Sequence, residues 1–214
     1  VQDVKEVGGE LRVLYITAAL VVLDQVTKLL VKGFTVPILG WYHEGMYLGQ
    51  SIPVIGDFLR LTFIENPGMA FGIEVGGRLF ITLFSVIASI GIGYYLYRIR
   101  NETFVVRLSL ALILAGALGN LIDRIFYGVI FGEAPLFYGK VVDFVDVDFF
   151  NINLLGVHMS RWAVFNVADS CVSIGVVLML LFHKKFTHDL EGSPSVPKPE
   201  VAAAGESTSS EAKP

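Results

Sequence analysis

Apolar residues gather into four long runs along the chain, and between them lie stretches in which apolar and polar positions alternate. Leu79 to Tyr97 carries no charge and closes on Tyr94, Tyr95 and Tyr97, aromatic side chains that favour a membrane–water boundary. Phe104 to Ile122 is interrupted only by Arg107, near enough to an end for its long side chain to reach the headgroups. Trp162 to Phe182 holds a single charge, Asp169, in its first half. Leu11 to Val31 contains Asp24 and Lys28, whose spacing sets them on one helix face, where they neutralise each other. The pattern predicts transmembrane helices at about 11–31, 79–97, 104–122 and 162–182. The residues ahead of the first run are mixed in sign and no small-residue cleavage site follows it, so it is read as a retained span rather than a signal peptide.

The connections 32–78 and 124–161 are more than linkers. Leu59 to Ile64 largely alternates apolar and polar residues, and Val141 to Phe149 mixes β-branched and aromatic residues with aspartates, both patterns of half-buried strands. A small sheet over the bundle is predicted. Trp41 to Ile55, with Trp41, Tyr42, Met46, Tyr47 and Leu48, either rests on the membrane surface as an amphipathic segment or packs on that sheet. Arg98, Arg100 and Arg107 flank one short connection and His183, Lys184 and Lys185 follow the last run, which puts these ends and both termini in the cytoplasm and the two long connections outside. The fold expected is an all-α membrane bundle of four transmembrane helices with a small extracytoplasmic β-sheet and a surface amphipathic segment. It occupies 1–186, ahead of a disordered cytoplasmic tail over 187–214 that is rich in Pro, Ser, Ala, Glu and Lys.

Composition narrows the class. With 54% hydrophobic residues, 17% charged ones and a mean hydropathy of +0.65, the chain is not a soluble domain. Most of its net charge of −4 lies in the tail, where Lys198 and Lys213 face Asp189, Glu191, Glu200, Glu206 and Glu211, and no basic stripe suggests a nucleic-acid partner. Cys171 stands alone, so neither an internal disulfide nor a zinc site of paired cysteines is available, and it reads as a packing residue.

Ionisable residues at membrane depth cost several kcal/mol unless paired, which makes each a functional candidate. Asp24 and Lys28 lie in the first run, Asp123 and Arg124 at the outer end of the third, and Asp169 near the outer end of the fourth. Asp143 sits in the strand that returns the chain toward that fourth run, so a strand of modest length can bring it beside Asp169. Two such carboxylates share a proton, one acting as base on a water while the other donates to a carbonyl oxygen. No His-Glu-x-x-His pair offers a zinc site, and no serine has the neighbourhood of a nucleophile.

Five polar motifs, taken in order, resemble those of the lipoprotein signal peptidases: LDQVTK at Leu23 to Lys28, NPGMAFG at Asn66 to Gly72, GALGNLIDR at Gly116 to Arg124, VVDF at Val141 to Phe144 and FNVADS at Phe165 to Ser170. The resemblance implies an intramembrane aspartic endopeptidase of the bacterial inner membrane. It would cleave diacylglyceryl-modified prolipoproteins on the amino side of the lipidated cysteine, with its site at the outer leaflet. Its catalytic aspartates map onto Asp143 and Asp169, and Asp123 is the rival, otherwise a buried partner of Lys28 or Arg124. Asn66, Asn120, Arg124 and Asn166 supply donors suited to the substrate backbone and a developing oxyanion, or serve as caps and helix-to-helix bonds. Gly68 permits a tight turn and Gly116 and Gly119 permit close helix packing. Asp24, Lys28 and Asp123 are read as structural. No cofactor and no metal are expected, membrane lipid and prolipoprotein are the expected partners, and a monomer is expected. Two departures stand out: Met69 replaces a small alanine, and Ile125 to Lys140 is longer than the family's link, suggesting a lid or a membrane contact. A small transporter or ion relay built on Asp24, Lys28, Asp123 and Asp169 is the alternative from another class, with four spans but no evident inverted repeat.

Overall fold

A computed structural model describes residues 12–70, 73–74, 77–148, 152–154, 157–159 and 163–182. The expected tail over 187–214, the basic cluster His183 to Lys185 and the residues Phe71 and Gly72 lie outside them. Long apolar runs satisfy their backbone groups internally only as helices. Three form helices long and apolar enough to cross a membrane: α1 (Arg12–Lys32), α2 (Arg78–Arg98) and α3 (Phe104–Ile122) with its extension.

That extension corrects one expected boundary. The chain does not leave the helix at Ile122 but continues through a π-helical turn, Asp123–Tyr127, and a last α turn, Gly128–Ile130, so the helix runs 27 residues from Phe104 to Ile130. The wider turn directs both Asp123 and Tyr127 at Gln25 of α1: Gln25 Nε2 donates to Asp123 Oδ1 at 2.9 Å and Tyr127 OH donates to Gln25 Oε1 at 3.1 Å. The rest of the 125–140 segment is tied back by Phe137 N to Ile125 O at 3.2 Å and Gly139 N to Arg124 O at 2.9 Å, and Thr82 of α2 donates to Phe137 O at 3.0 Å.

A second correction concerns the last run. Helix α4 covers Val167–Leu181, 15 residues, and is shorter than a span of about 20. Residues 163–166 are not helical, and Phe165 forms a β-bridge with Val145. The cause is Asn166, whose side chain accepts from Asp169 N while Asp169 accepts from Asn166 N, a capping box that starts the helix one residue later.

The helices meet at small residues. A Cβ on Gly116 would stand 2.2 Å from Ala168 O, and one on Gly119 would stand 2.6 Å from Asp24 Oδ2, so α3 approaches α4 and α1 at distances that only glycine allows. Thr17 adds a bond from α1 to Ala111 O of α3 at 3.0 Å. Cys171 is buried in α4.

At one end of the bundle β3 (Ser51–Ile55), β4 (Leu59–Asn66) and β7 (Val141–Val147) form an antiparallel sheet in the order β3-β4-β7. Ile64 faces Asp143 and Asn66 faces Val141 in the β4–β7 register, with a bulge between Leu61 and Ile64. Phe63, Val142 and Phe144 pack with Val31 and Tyr127 into a core that joins this sheet to the helix ends. Two-stranded pairs flank it: β1 (Phe34–Val36) with β2 (Trp41–His43), β5 (Met69–Ala70) with β6 (Ile73–Glu74), and β8 (Ile152–Leu154) with β9 (Val157–Met159). The stretch Trp41 to Ile55 is thus two strands and a turn; Trp41, Tyr42, Tyr47 and Leu48 stand exposed, while Met46 packs against the core beneath the sheet.

Candidate active site

The polar residues of the five motifs converge where β7, α1, α3 and α4 meet. Lys28, fully buried, extends from α1 to Asp24 at 2.8 Å, to Asp123 at 2.8 Å and to Asn120 Oδ1 at 2.9 Å. Neither carboxylate is left with a free oxygen. Asp24 Oδ1 accepts from Ala168 N at 2.9 Å at the start of α4, and Asp123 Oδ2 accepts from Val142 N at 3.2 Å on β7. One ammonium between two carboxylates thereby fixes four elements, and breaking it would strand a charge in a dry interior.

A second layer sits beside it. Asn166 Nδ2 donates to Asp143 Oδ1 at 2.7 Å and contacts Asn120 Oδ1 at 3.1 Å, while Asn120 Nδ2 donates to Asp169 Oδ1 at 2.8 Å. Two amides therefore connect the two carboxylates into one chain. Asn66 completes the set: it lies on the same sheet face as Asp143, near enough to pull its carboxyl down, and its Oδ1 accepts from Gly68 N at 2.8 Å in a tight turn where Gly68 has a φ of 108°. Arg124 lies within electrostatic reach of Asp123, Asp143 and Asp169.

Asp143 is buried, whereas Asp169 is only half-buried at the helix start. Burial first, and then the charge of Asp169, push the Asp143 carboxyl up to about 7, against the lowering pulls of Asn166, Lys28 and Asn66. The Asp143 carboxyl is thereby brought into the range where it exchanges a proton near neutrality. Such an arrangement can take a proton from water at one carboxylate and give one to a carbonyl oxygen from the other.

All of the residues singled out from the sequence are in this region: Asp143, Asp169, Asn66, Gly68, Asn120, Arg124, Asn166, Asp24, Lys28 and Asp123. The amides of Asn120 and Asn166 are engaged with carboxylates and the helix cap. Gln25 was not singled out; it joins Asp24, Asp123 and Tyr127, and its only sequence signal is being a polar neighbour of Asp24 in an apolar helix. Among the described residues no three His, Cys, Asp or Glu side chains are grouped to hold a metal ion.

Comparison with known proteins is consistent with this architecture. A family model described as Signal peptidase (SPase) II matches residues 16–184. A lipoprotein signal peptidase of Porphyromonas gingivalis is 36% identical, with 86% of this chain and 89% of that protein covered. One from Chlorobaculum tepidum is 38% identical over 80% of this chain and 92% of its own. Among solved structures, a bacterial membrane enzyme determined by the in meso method aligns with a TM-score of 0.59 at 29% identity, covering 86% of this chain and 93% of that one.

Proposed function

The chain belongs to the signal peptidase II family, and on that premise we propose that this bacterial membrane protein is an aspartic endopeptidase. It removes signal peptides from diacylglyceryl-modified prolipoproteins by cutting on the amino side of the lipidated cysteine. The observation that carries the reading is the amide-linked pair of Asp143 and Asp169, in which burial and the neighbouring carboxylate raise Asp143. Asp169, the more exposed of the two, takes a proton from water, whose oxygen bonds to the scissile carbonyl carbon. Asp143 gives its proton to the carbonyl oxygen. As the resulting diol collapses, a hydroxyl proton returns to Asp143 while the carbonyl re-forms and the C–N bond breaks, and the proton taken by Asp169 goes to the leaving nitrogen. No covalent enzyme intermediate forms.

Asn66, Asn120 and Asn166 orient the two carboxylates, and Arg124 places a positive charge near the developing oxyanion. Asp24, Lys28 and Asp123 hold the helices. Their charges are locked in contacts, which does not favour the ion-relay alternative. The lipid chains of the substrate stay in the bilayer and help bring the scissile bond to the sheet end of the bundle. That end faces the outer leaflet, both termini lie in the cytoplasm, and the exposed Trp41 and Tyr42 of the β1–β2 hairpin lie at the membrane surface.

The test is cleavage of a diacylglyceryl-modified prolipoprotein by purified protein, comparing wild type with Asp143→Asn, Asp169→Asn and Asp123→Asn. The dyad stands if the first two lose turnover while Asp123→Asn retains it per folded molecule. Turnover by Asp143→Asn would promote Asp123 to the dyad, and a wild type that never cleaves would end the peptidase reading.

A further inference from the structure

Outside the dyad and its lysine-centred support lies a third polar cluster that the mechanism does not use. Glu65, on β4 directly before Asn66, is almost wholly buried, its side chain only 9% exposed. One of its oxygens pairs with Lys32 at the end of α1, and the other accepts from Lys140 at 2.6 Å just before β7. Lys32, 7% exposed, also reaches Glu133 at 2.6 Å in the 125–140 segment and lies 4.5 Å from the centre of the Phe131 ring. Four segments are thereby joined through one carboxylate: the end of α1, β4, the long segment after α3 and the start of β7.

The strand register explains why this point matters. Glu65 faces Val142 and Asn66 faces Val141, while Asp143 faces Ile64. Side chains alternate along a strand, so Asn66, Ile64 and Asp143 share one face of the sheet and Glu65 projects from the other. Asn66 reaches Asp143 diagonally on that shared face, at the last residue of β4, where a strand end frays most readily. A clamp on the adjacent residue, tied to both neighbouring segments, limits that fraying.

We propose that Glu65 is a positioning residue for the peptidase reaction: through Lys32 and Lys140 it holds the end of β4 so that Asn66 stays on the Asp143 carboxylate. The inference rests on the proposed function, because it takes Asp143 as a member of the dyad. It also gives the long segment after α3 a task, since Glu133 and Phe131 secure Lys32 and thereby the clamp. The clamp is a balanced one: burial alone would raise the Glu65 carboxyl, and Lys140 and Lys32 more than offset this and hold it below its ordinary range. It therefore remains charged throughout the pH range in which Asp143 exchanges its proton.

The test compares wild type, Glu65→Gln and Lys140→Met in steady-state cleavage of a diacylglyceryl-modified prolipoprotein across pH, with thermal unfolding in detergent as the measure of fold. Substrate contacts are not altered, so KM is expected to stay within about twofold while kcat falls about tenfold in Glu65→Gln and about threefold in Lys140→Met. Moving Asn66 away from Asp143 also removes a pull that lowers that carboxyl. The alkaline limb of the kcat profile should then move to higher pH in both variants. The groups facing Asp143 that otherwise set that limb, Asp169 and Asn166 of α4, Lys28 of α1 and Arg124 of the α3 extension, are unchanged. Wild-type kcat and an unmoved limb in a folded Glu65→Gln protein would overturn the proposal. So would a loss of kcat in Lys140→Met that only parallels loss of folded protein; Lys140 is one-third exposed, and its removal leaves Lys32 on Glu65 to preserve the fold. A wild type without cleavage would instead count against the proposed function, which keeps the two failures distinct.

Discussion

Asp24 and Asp123 share the ammonium of Lys28 at 2.8 Å each, whereas Asp143 and Asp169 receive side-chain bonds only from amides. Burial does not separate the two groups, since Asp24, Asp123 and Asp143 are all at most 4% exposed. Counter-charge does. A cation in contact balances carboxylate charge directly, while amides aim a carboxylate without cancelling it. Neighbouring carboxylates in one small volume are thereby held differently: one pair is clamped to a cation between helices, and the other is aimed by amides.

The strongest way to break this contrast is to remove the amide-held carboxylates. Asp143→Asn and Asp169→Asn should each lower kcat for prolipoprotein cleavage by about 10³-fold or more with thermal unfolding little changed, as measured by product formation per folded molecule. Asp123→Asn should do the opposite, costing about 2 kcal/mol of stability, because Lys28 keeps Asp24 but loses one of its two charges, while turnover per folded molecule persists. Thermal unfolding paired with active-site-normalised rates distinguishes the outcomes, and a dead but stable Asp123→Asn would erase the contrast. A third expectation concerns pH. With Asp143 as the proton donor raised to about 7, kcat should fall as pH rises through about 7, since the donor is present below that value and lost above it. A rate that climbs through pH 8 would transfer the donor role elsewhere. The smallest effect is spectroscopic: in a Trp162→Phe protein reconstituted in vesicles, Trp41 emission should be quenched more by lipids labelled near the headgroup than by aqueous iodide.

Much of this arrangement was legible in the amino-acid order. The charge-free run Leu79–Tyr97 and the run Phe104–Ile122, broken only by Arg107, correspond to α2 and to α3 before its extension within a residue or two, because length and apolarity decide a helix in lipid. The alternation at Leu59–Ile64 and the aspartate-bearing Val141–Phe149 run gave strands for the same reason of period. What could not be read was set by contacts between distant residues. The π turn at Asp123 depends on Gln25 and Lys28 across the bundle, and nothing local in DRIFY announces it. Trp162 to Asn166 reads as the beginning of an apolar helix, yet Asn166 is a cap and Phe165 is claimed by Val145. Nor does the sequence say that the amides of Asn120 and Asn166 join the two aspartates to each other, since their spacing fits helix caps and substrate contacts equally well.

The bond from Ala168 N to Asp24 Oδ1 joins positions 144 residues apart. Its consequence belongs to biosynthesis: a ribosome-bound chain that has inserted its first three helices already carries Asp24, Lys28, Asn120 and Asp123, but lacks Asn166, Asp169 and the amide that closes on Asp24. The junction around Lys28 therefore closes only when the final helix docks, so the polar centre of the bundle is completed last, after the ribosome has released nearly the whole chain.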